Sequence, residues 1–198
     1  MSNALARSEA TLIGTSSFPK VSAVAYFVIA ILGTAIDLAT KQAVFSWRGL
    51  PGEQPPWWLI RNYVGIETAV NEGALFGMGA GYGRLFAIFS IFAAIGILVW
   101  LFYFQAVRSK WLTVALGCVT AGIGGNLYDR LGLWVSAGMP EEWNSGVRDW
   151  ILFRYGQYTW PNFNIADSLL VCGAIMLAWH TFMTPEPESA PTPHVEGK

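Results

Sequence analysis

Residues 85–107 read LFAIFSIFAAIGILVWLFYFQAV, an apolar run with no charged side chain, bounded by Arg84 and Arg108. A run of roughly 20 apolar residues is long enough to cross the hydrocarbon core of a bilayer as a helix. Three further stretches have the same character. The next runs from Trp111 to Tyr128 and closes on Asp129-Arg130, and another runs from about Phe163 to Met183 with Asp167 near its start. The first begins at Val21 and reaches about Phe45, interrupted in its second half by Asp37 and Lys41. Val21 to Gly33 alone has the length of a signal-peptide core, but the apolar stretch continues well beyond it. The fold class expected is an all-α membrane protein with four spans, at about 21–45, 85–107, 111–130 and 163–183.

Composition agrees. Of 198 residues, 54% are hydrophobic and 13% charged, against about 25% charged in a soluble domain, and mean hydropathy is +0.41. Charge is balanced at net −1 with no basic run, so no nucleic-acid partner is expected. The two cysteines, Cys118 and Cys172, lie in apolar stretches. They read as small packing residues, without a bridge between them. Residues 1–20 and 184–198, the latter carrying four prolines, read as disordered cytoplasmic tails flanking a membrane domain over 21–183.

Short basic loops stay in the cytoplasm. The connection holding Arg108 and Lys110 is therefore placed inside, which puts both termini inside and the two long connections outside. Trp47, Trp57, Trp58, Trp134, Trp143, Trp150 and Trp160 lie in or beside those outer connections, as membrane-interface tryptophans do. Trp57 to Val70 is rich in β-formers and predicts a small β element. Glu141 to Tyr155 is expected as a short interfacial helix.

A carboxylate within a span is costly and by default marks a functional site. In this orientation Asp37, Asp129 and Asp167 fall toward the outer ends of three spans, with Asp149 in the connection between two of them. Two neighbouring carboxyls do not easily both ionise, so they share a proton. The ionised member can activate water while the protonated one polarises a carbonyl and later protonates a leaving amine. That is peptide hydrolysis of the aspartic type, with no metal and no cofactor. His180 lies near the inner end of its span and His194 in the tail, so neither serves an outer site. A proton-coupled carrier would need ionisable groups through the whole thickness, and a non-catalytic four-helix assembly protein would leave the outer acids without purpose.

Five motifs in order resemble those of the lipoprotein signal peptidases, the signal peptidase II family. Asp37-Leu-Ala-Thr-Lys41 is similar to D-x-x-[TS]-K, and Asn71-Glu-Gly73-Ala-Leu-Phe76 to N-x-G-x-x-F. Gly122-Ile-Gly-Gly125-Asn126-Leu-Tyr-Asp129-Arg130 is similar to GGxxGNxxDR, with Ala121 where the first glycine usually stands. Val147-Arg-Asp149-Trp150 is similar to V-x-D-F, with Trp for Phe, and Phe163-Asn164-Ile-Ala166-Asp167-Ser168 to FNxADS. The stretch between Asp129 and Asp149 is longer than usual. The resemblance implies a bacterial inner-membrane aspartic protease acting at the outer face. Its substrates would be prolipoproteins carrying diacylglycerol, cut just before the lipidated cysteine. Its partners would be those substrates and membrane lipids, and it would work as a monomer.

The resemblance further implies that Asp149 and Asp167 form the catalytic dyad; Asp129, nearer a span end, is the physical rival. Asn126 and Asn164 would orient the dyad or bind substrate backbone together with Ala166. Arg130 would hold substrate carbonyls or a headgroup, and Asn71, Gly73 and Phe76 would cover the substrate. Asp37 and Lys41, four apart on one helix face, have the spacing of an ion pair. Gly122 and Gly125 would permit close helix packing.

Overall fold

The computed structural model describes residues 19–73, 81–135 and 138–183. Four helices are long and apolar enough to cross a membrane. They are α1 (Lys20–Arg48), α2 (Gly83–Leu98), α3 (Lys110–Arg130) and α4 (Ile165–Met183). A π-turn, Val99–Tyr103, extends α2. Gln105 then takes a left-handed conformation (φ 59°) and ends the span before Val107. Cys118 and Cys172 are free.

The least apolar span, α3, is the most buried. It lies between α1 and α4, with α2 packed more lightly. Small residues make this possible, since helices in lipid associate through close van der Waals packing rather than through a hydrophobic drive. Gly122 lies against the Ala166 carbonyl and Leu170 of α4. Gly125 lies so close to the Asp37 carboxylate of α1 that a methyl group there would collide with it. By contrast, Phe89, Phe92 and Ile95 of α2 are outward-facing, the surface a helix presents to lipid.

The β structure is larger than the sequence suggested. Strands β1 (Trp57–Ile60), β2 (Val64–Asn71), β3 (Val147–Tyr155) and β4 (Tyr158–Phe163) form one antiparallel sheet in the order β1-β2-β3-β4. The interfacial helix expected over Glu141–Tyr155 is confined to a short 3-10 turn, Glu141–Ser145. Beyond it Val147–Tyr155, dense in β-branched and aromatic residues, pairs on both edges as a strand. Phe163 correspondingly ends β4, and the last span opens at Ile165. A bulge in β2 between Ile66 and Ala69 shifts the register, setting Ala69 opposite Asp149. Bulges of this kind re-aim side chains beside functional sites. The sheet thereby carries Asn71 and Asp149 to the ends of α1, α3 and α4.

Candidate active site

Helix α4 starts with a reciprocal cap. The Asn164 carbonyl oxygen Oδ1 accepts from the Asp167 N–H at 2.9 Å, and Asp167 Oδ2 accepts from the Asn164 N–H at 3.2 Å. This is the geometry of a capping box. The third free amide, that of Ala166, donates to Asp37 Oδ1 of α1 at 2.8 Å. Three amides of the new helix are thus satisfied by side chains, two of them carboxylates, where the helix dipole favours negative charge.

The amide of Asn164 also reaches the sheet. Its Nδ2 donates to Asp149 Oδ1 at 2.6 Å, and it lies within 3.2 Å of Asn126 Oδ1 and 3.3 Å of the Arg148 carbonyl. Asn126 in turn donates from Nδ2 to Asp167 Oδ1 at 2.8 Å. Asn71 hydrogen-bonds Asp149 from β2, while its own Oδ1 caps the Gly73 N–H at 3.0 Å. Asp149 is buried and Asp167 half-buried. Burial first, and then the charge of Asp167, hold the Asp149 carboxyl well above the usual carboxylate range.

Asp129 has a different environment. Its Oδ1 accepts from Arg148 Nε at 3.1 Å and Nη2 at 2.8 Å. Its Oδ2 accepts from the Arg148 backbone N–H at 3.0 Å and lies 3.2 Å from Lys41 Nζ. Lys41 also pairs with Asp37 at 2.7 Å and donates to Asn126 Oδ1 at 3.0 Å. Asp37, Lys41 and Asp129 have no solvent exposure at all. Both carboxylate oxygens of Asp129 are occupied by donors of the protein itself.

Arg130 donates to the carbonyls of Gly73 and Ser145 and stacks over Phe86, 5.1 Å from its ring centre. Its charge acts on both Asp149 and Asp167. Ala166, Gly122 and Gly125 lie at the α3–α4 junction just beneath. All the site residues expected from the sequence are therefore gathered in one place, except Phe76, which lies outside the described residues.

The sequence reading missed Arg148. Its guanidinium is buried among Asp129, Gln42 Oε1 at 3.3 Å, and the rings of Trp134 (5.3 Å) and Phe45 (6.0 Å). Trp134 belongs to the long stretch after Asp129, which folds back so that its indole N–H donates to the Gly146 carbonyl at 3.0 Å. A signal was available. Several acids clustered in a membrane need buried cations, and Lys41 and Arg130 were too few for four. With Arg148 counted, four carboxyls face three cations, so the cluster is neutral when the carboxyls retain a single proton between them. Among the described residues no cluster of metal-ligating side chains occurs.

Comparison with known proteins agrees with this assembly. Residues 29–183 match the sequence profile of the family described as Signal peptidase (SPase) II. A lipoprotein signal peptidase of Rhodopirellula baltica is 60% identical over 168 residues, covering 84% of this chain and 75% of that protein. One from Geobacillus thermodenitrificans is 33% identical over 168 residues, covering 84% and 94%. A solved structure described as a bacterial membrane enzyme superposes with a TM-score of 0.65 at 27% identity, over 83% of this chain and 94% of that one. With its four spans and this gathering of motif residues, the chain belongs to the signal peptidase II family.

Proposed function

We infer that this membrane protease removes the signal peptide from diacylglyceryl-modified prolipoproteins, cutting just before the lipidated cysteine, by aspartic catalysis with Asp149 and Asp167. The observation that carries the dyad is that one residue, Asn164, contacts both carboxyls. Its Nδ2 donates to the Asp149 carboxyl and its backbone N–H to the Asp167 carboxyl, while its Oδ1 accepts from the Asp167 backbone N–H.

In this reading Asp149 holds the proton and Asp167 the negative charge. Asp167 takes a proton from water, and the resulting hydroxyl attacks the scissile carbonyl. Asp149 gives its proton to the carbonyl oxygen, forming a tetrahedral diol. As the diol collapses, Asp149 recovers its proton, and the proton on Asp167 passes to the leaving amine. Both carboxyls return to their starting states. Arg130, Asn126 and Asn71 border the same space and orient the pair or the substrate backbone. Asp129, Asp37, Lys41 and Ala166 hold the frame.

The site is placed at the outer face of the bacterial inner membrane, with both termini and the Arg108–Lys110 connection cytoplasmic. Acyl chains left in the bilayer then fix the depth of the scissile bond, replacing part of the entropy cost of bringing the reactants together. The carrier reading is not favoured. The buried charged residues Asp37, Lys41, Asp129, Arg130, Arg148 and Asp149 gather at one end of the bundle instead of lining its depth. The test is cleavage of a lipidated precursor by the purified full chain in EDTA. Undiminished activity on that precursor, and little on the unlipidated form, is expected. Inhibition by the chelator would overturn the dyad mechanism, and equal cleavage of both precursors would overturn the anchoring argument.

A further inference from the structure

The two turns of the sheet meet at the end remote from the dyad. Residues 61–63 join β1 to β2, and Gly156-Gln157 joins β3 to β4. The Arg154 N–H donates to the Tyr63 carbonyl at 2.9 Å and ties the turns together. Tyr155 is six residues along β3 from Asp149, about 20 Å of extended chain. An open pocket of about 580 Å³ lies between the turns, lined by Asn62, Tyr63, Arg154, Gly156, Gln157 and Thr159.

Arg154 is fixed there without being neutralised. Its Nε donates to Thr159 Oγ1 at 3.1 Å, and its guanidinium lies over the Trp58 ring at 5.0 Å. Among the described residues, no carboxylate pairs with Arg154 or with the neighbouring Arg61. The amides of Asn62 and Gln157 add further donors. A held guanidinium with amide donors around an open pocket is the chemistry that receives an oxyanion.

The surroundings say which oxyanion. Leu59, Ile60, Tyr155 and Tyr158 are 55–77% exposed around this end of the sheet, a patch unsuited to open water. Tyrosines, aliphatic side chains and arginines without a counter-charge together fit the headgroup layer of a bilayer. The chain already spans a membrane, so that layer is within reach of a sheet continuous with the ends of its helices.

We propose that the distal turns of the sheet rest on the bilayer and that the pocket around Arg154 takes the phosphate of a phospholipid, with the exposed aromatic and aliphatic rim set around its glycerol and upper acyl chains. The bound lipid anchors the far end of β3 and so helps hold the sheet at constant depth. The proposal needs only the membrane-spanning fold and stands apart from the assignment of the dyad.

Lipid retained by the purified full chain is measured by native mass spectrometry during titration with phosphatidylglycerol. Parallel titrations use diacylglycerol of the same chains and inorganic phosphate. The wild type should hold phosphatidylglycerol roughly tenfold more tightly than Arg154→Gln, with Arg154→Lys between them. Diacylglycerol should not distinguish the proteins, and inorganic phosphate should bind far more weakly than the lipid. Equal phosphatidylglycerol affinity in wild type and Arg154→Gln would overturn the proposal. Inorganic phosphate binding as tightly as the lipid would instead make this a soluble-anion site and overturn the lipid assignment. Should Arg154→Gln melt early, Gln157→Glu sets a negative charge at the pocket while leaving the supports of Arg154 in place. Unchanged lipid affinity in that variant would also overturn the proposal.

Discussion

Asp129→Asn and Asp149→Asn are the same chemical change at two ends of one connection, and the structure predicts opposite outcomes for them. Both oxygens of Asp129 face donors: two from the Arg148 guanidinium on Oδ1, and the Arg148 backbone N–H with Lys41 on Oδ2. An amide at this position turns its NH2 group toward donors whichever way it flips. Two buried cations also lose a shared counter-charge. Removing one partner of a buried ion pair costs about 3–5 kcal/mol. Lys41 keeps Asp37 and Asn126, and Arg148 keeps Gln42 and its aromatic rings. The loss therefore belongs at the low end, about 3 kcal/mol, or roughly 6–12 °C in melting temperature for a chain of this length. The amide introduced by Asp149→Asn, by contrast, keeps a carbonyl oxygen for Asn164 and sheds the burial cost of a carboxyl beside Asp167. Asp149→Asn should melt at or above the wild type, with cleavage reduced by several orders of magnitude. Melting of the detergent-purified variants, read by tryptophan fluorescence, together with turnover of a lipidated precursor separates the two. An Asp129→Asn that melts with the wild type yet is inactive, beside an active Asp149→Asn, would refute the reasoning and move the dyad to Asp129.

The same geometry makes three further predictions. Gly125→Ala drives a methyl group into the Asp37 carboxylate and to 3.2 Å from Ala166 Cβ, so it should cost about 1–3 kcal/mol; Gly96→Ala, which meets nothing within 4 Å, should leave the melting temperature unchanged or slightly raised. Asn164→Ala removes both the side-chain cap of the helix and the donor that orients the Asp149 carboxyl, so about 1 kcal/mol of stability and roughly 100-fold in kcat should be lost together, measured on one preparation. Because burial and Asp167 raise the Asp149 pKa in the folded state, that group favours folding at low pH, and the contribution disappears as pH rises through its folded pKa. Wild-type melting should therefore fall relative to Asp149→Asn as buffers are made alkaline, and cleavage should fall over the same range; a constant gap between the two proteins would contradict the shift.

What could be read in the sequence divides along physical lines. The four helices announce themselves because lipid demands long uncharged runs, and the motif acids do because a carboxylate in such a run has few bland explanations. Strand β3 was misread as partly helical because its first residues, Val147 to Asp149, are buried on both faces and it is paired on both edges. It therefore lacks the clean alternation of a half-exposed strand, and the pairing of Ala69 with Asp149 across a bulge is a long-range event with no local mark. Arg148 went unnoticed for a related reason. As a single basic residue in an outer connection it looks like a solvated side chain until Trp134 and Phe45 close over it. The end of the second span at Tyr103 was equally hidden, because Phe104 to Val107 remain largely apolar while the backbone turns at Gln105.

The ion pairs of this site also explain how one cluster serves two ends. Lys41, paired with Asp37 on its own helix, joins α1 to α3 through Asp129 and Asn126, and Arg148 joins β3 to α3 through Asp129. Asp129 is thus the point where bundle and sheet are fastened, and its charge is fully committed to that task. Asp149 leaves the same strand one residue after Arg148 and is hydrogen-bonded by the neutral amides of Asn164 and Asn71. Among the described residues no cation forms an ion pair with it, and burial and then the charge of Asp167 hold its carboxyl well above the usual range, while Asp167 sits at a helix start supplied with two donors. Adjacent residues of a strand point to opposite faces, so the Arg148 guanidinium turns to Asp129 while the Asp149 carboxyl turns to Asn164 and Asn71. The order Arg148-Asp149 therefore separates Asp129, the acid that fastens the sheet, from Asp149, the acid proposed to exchange a proton.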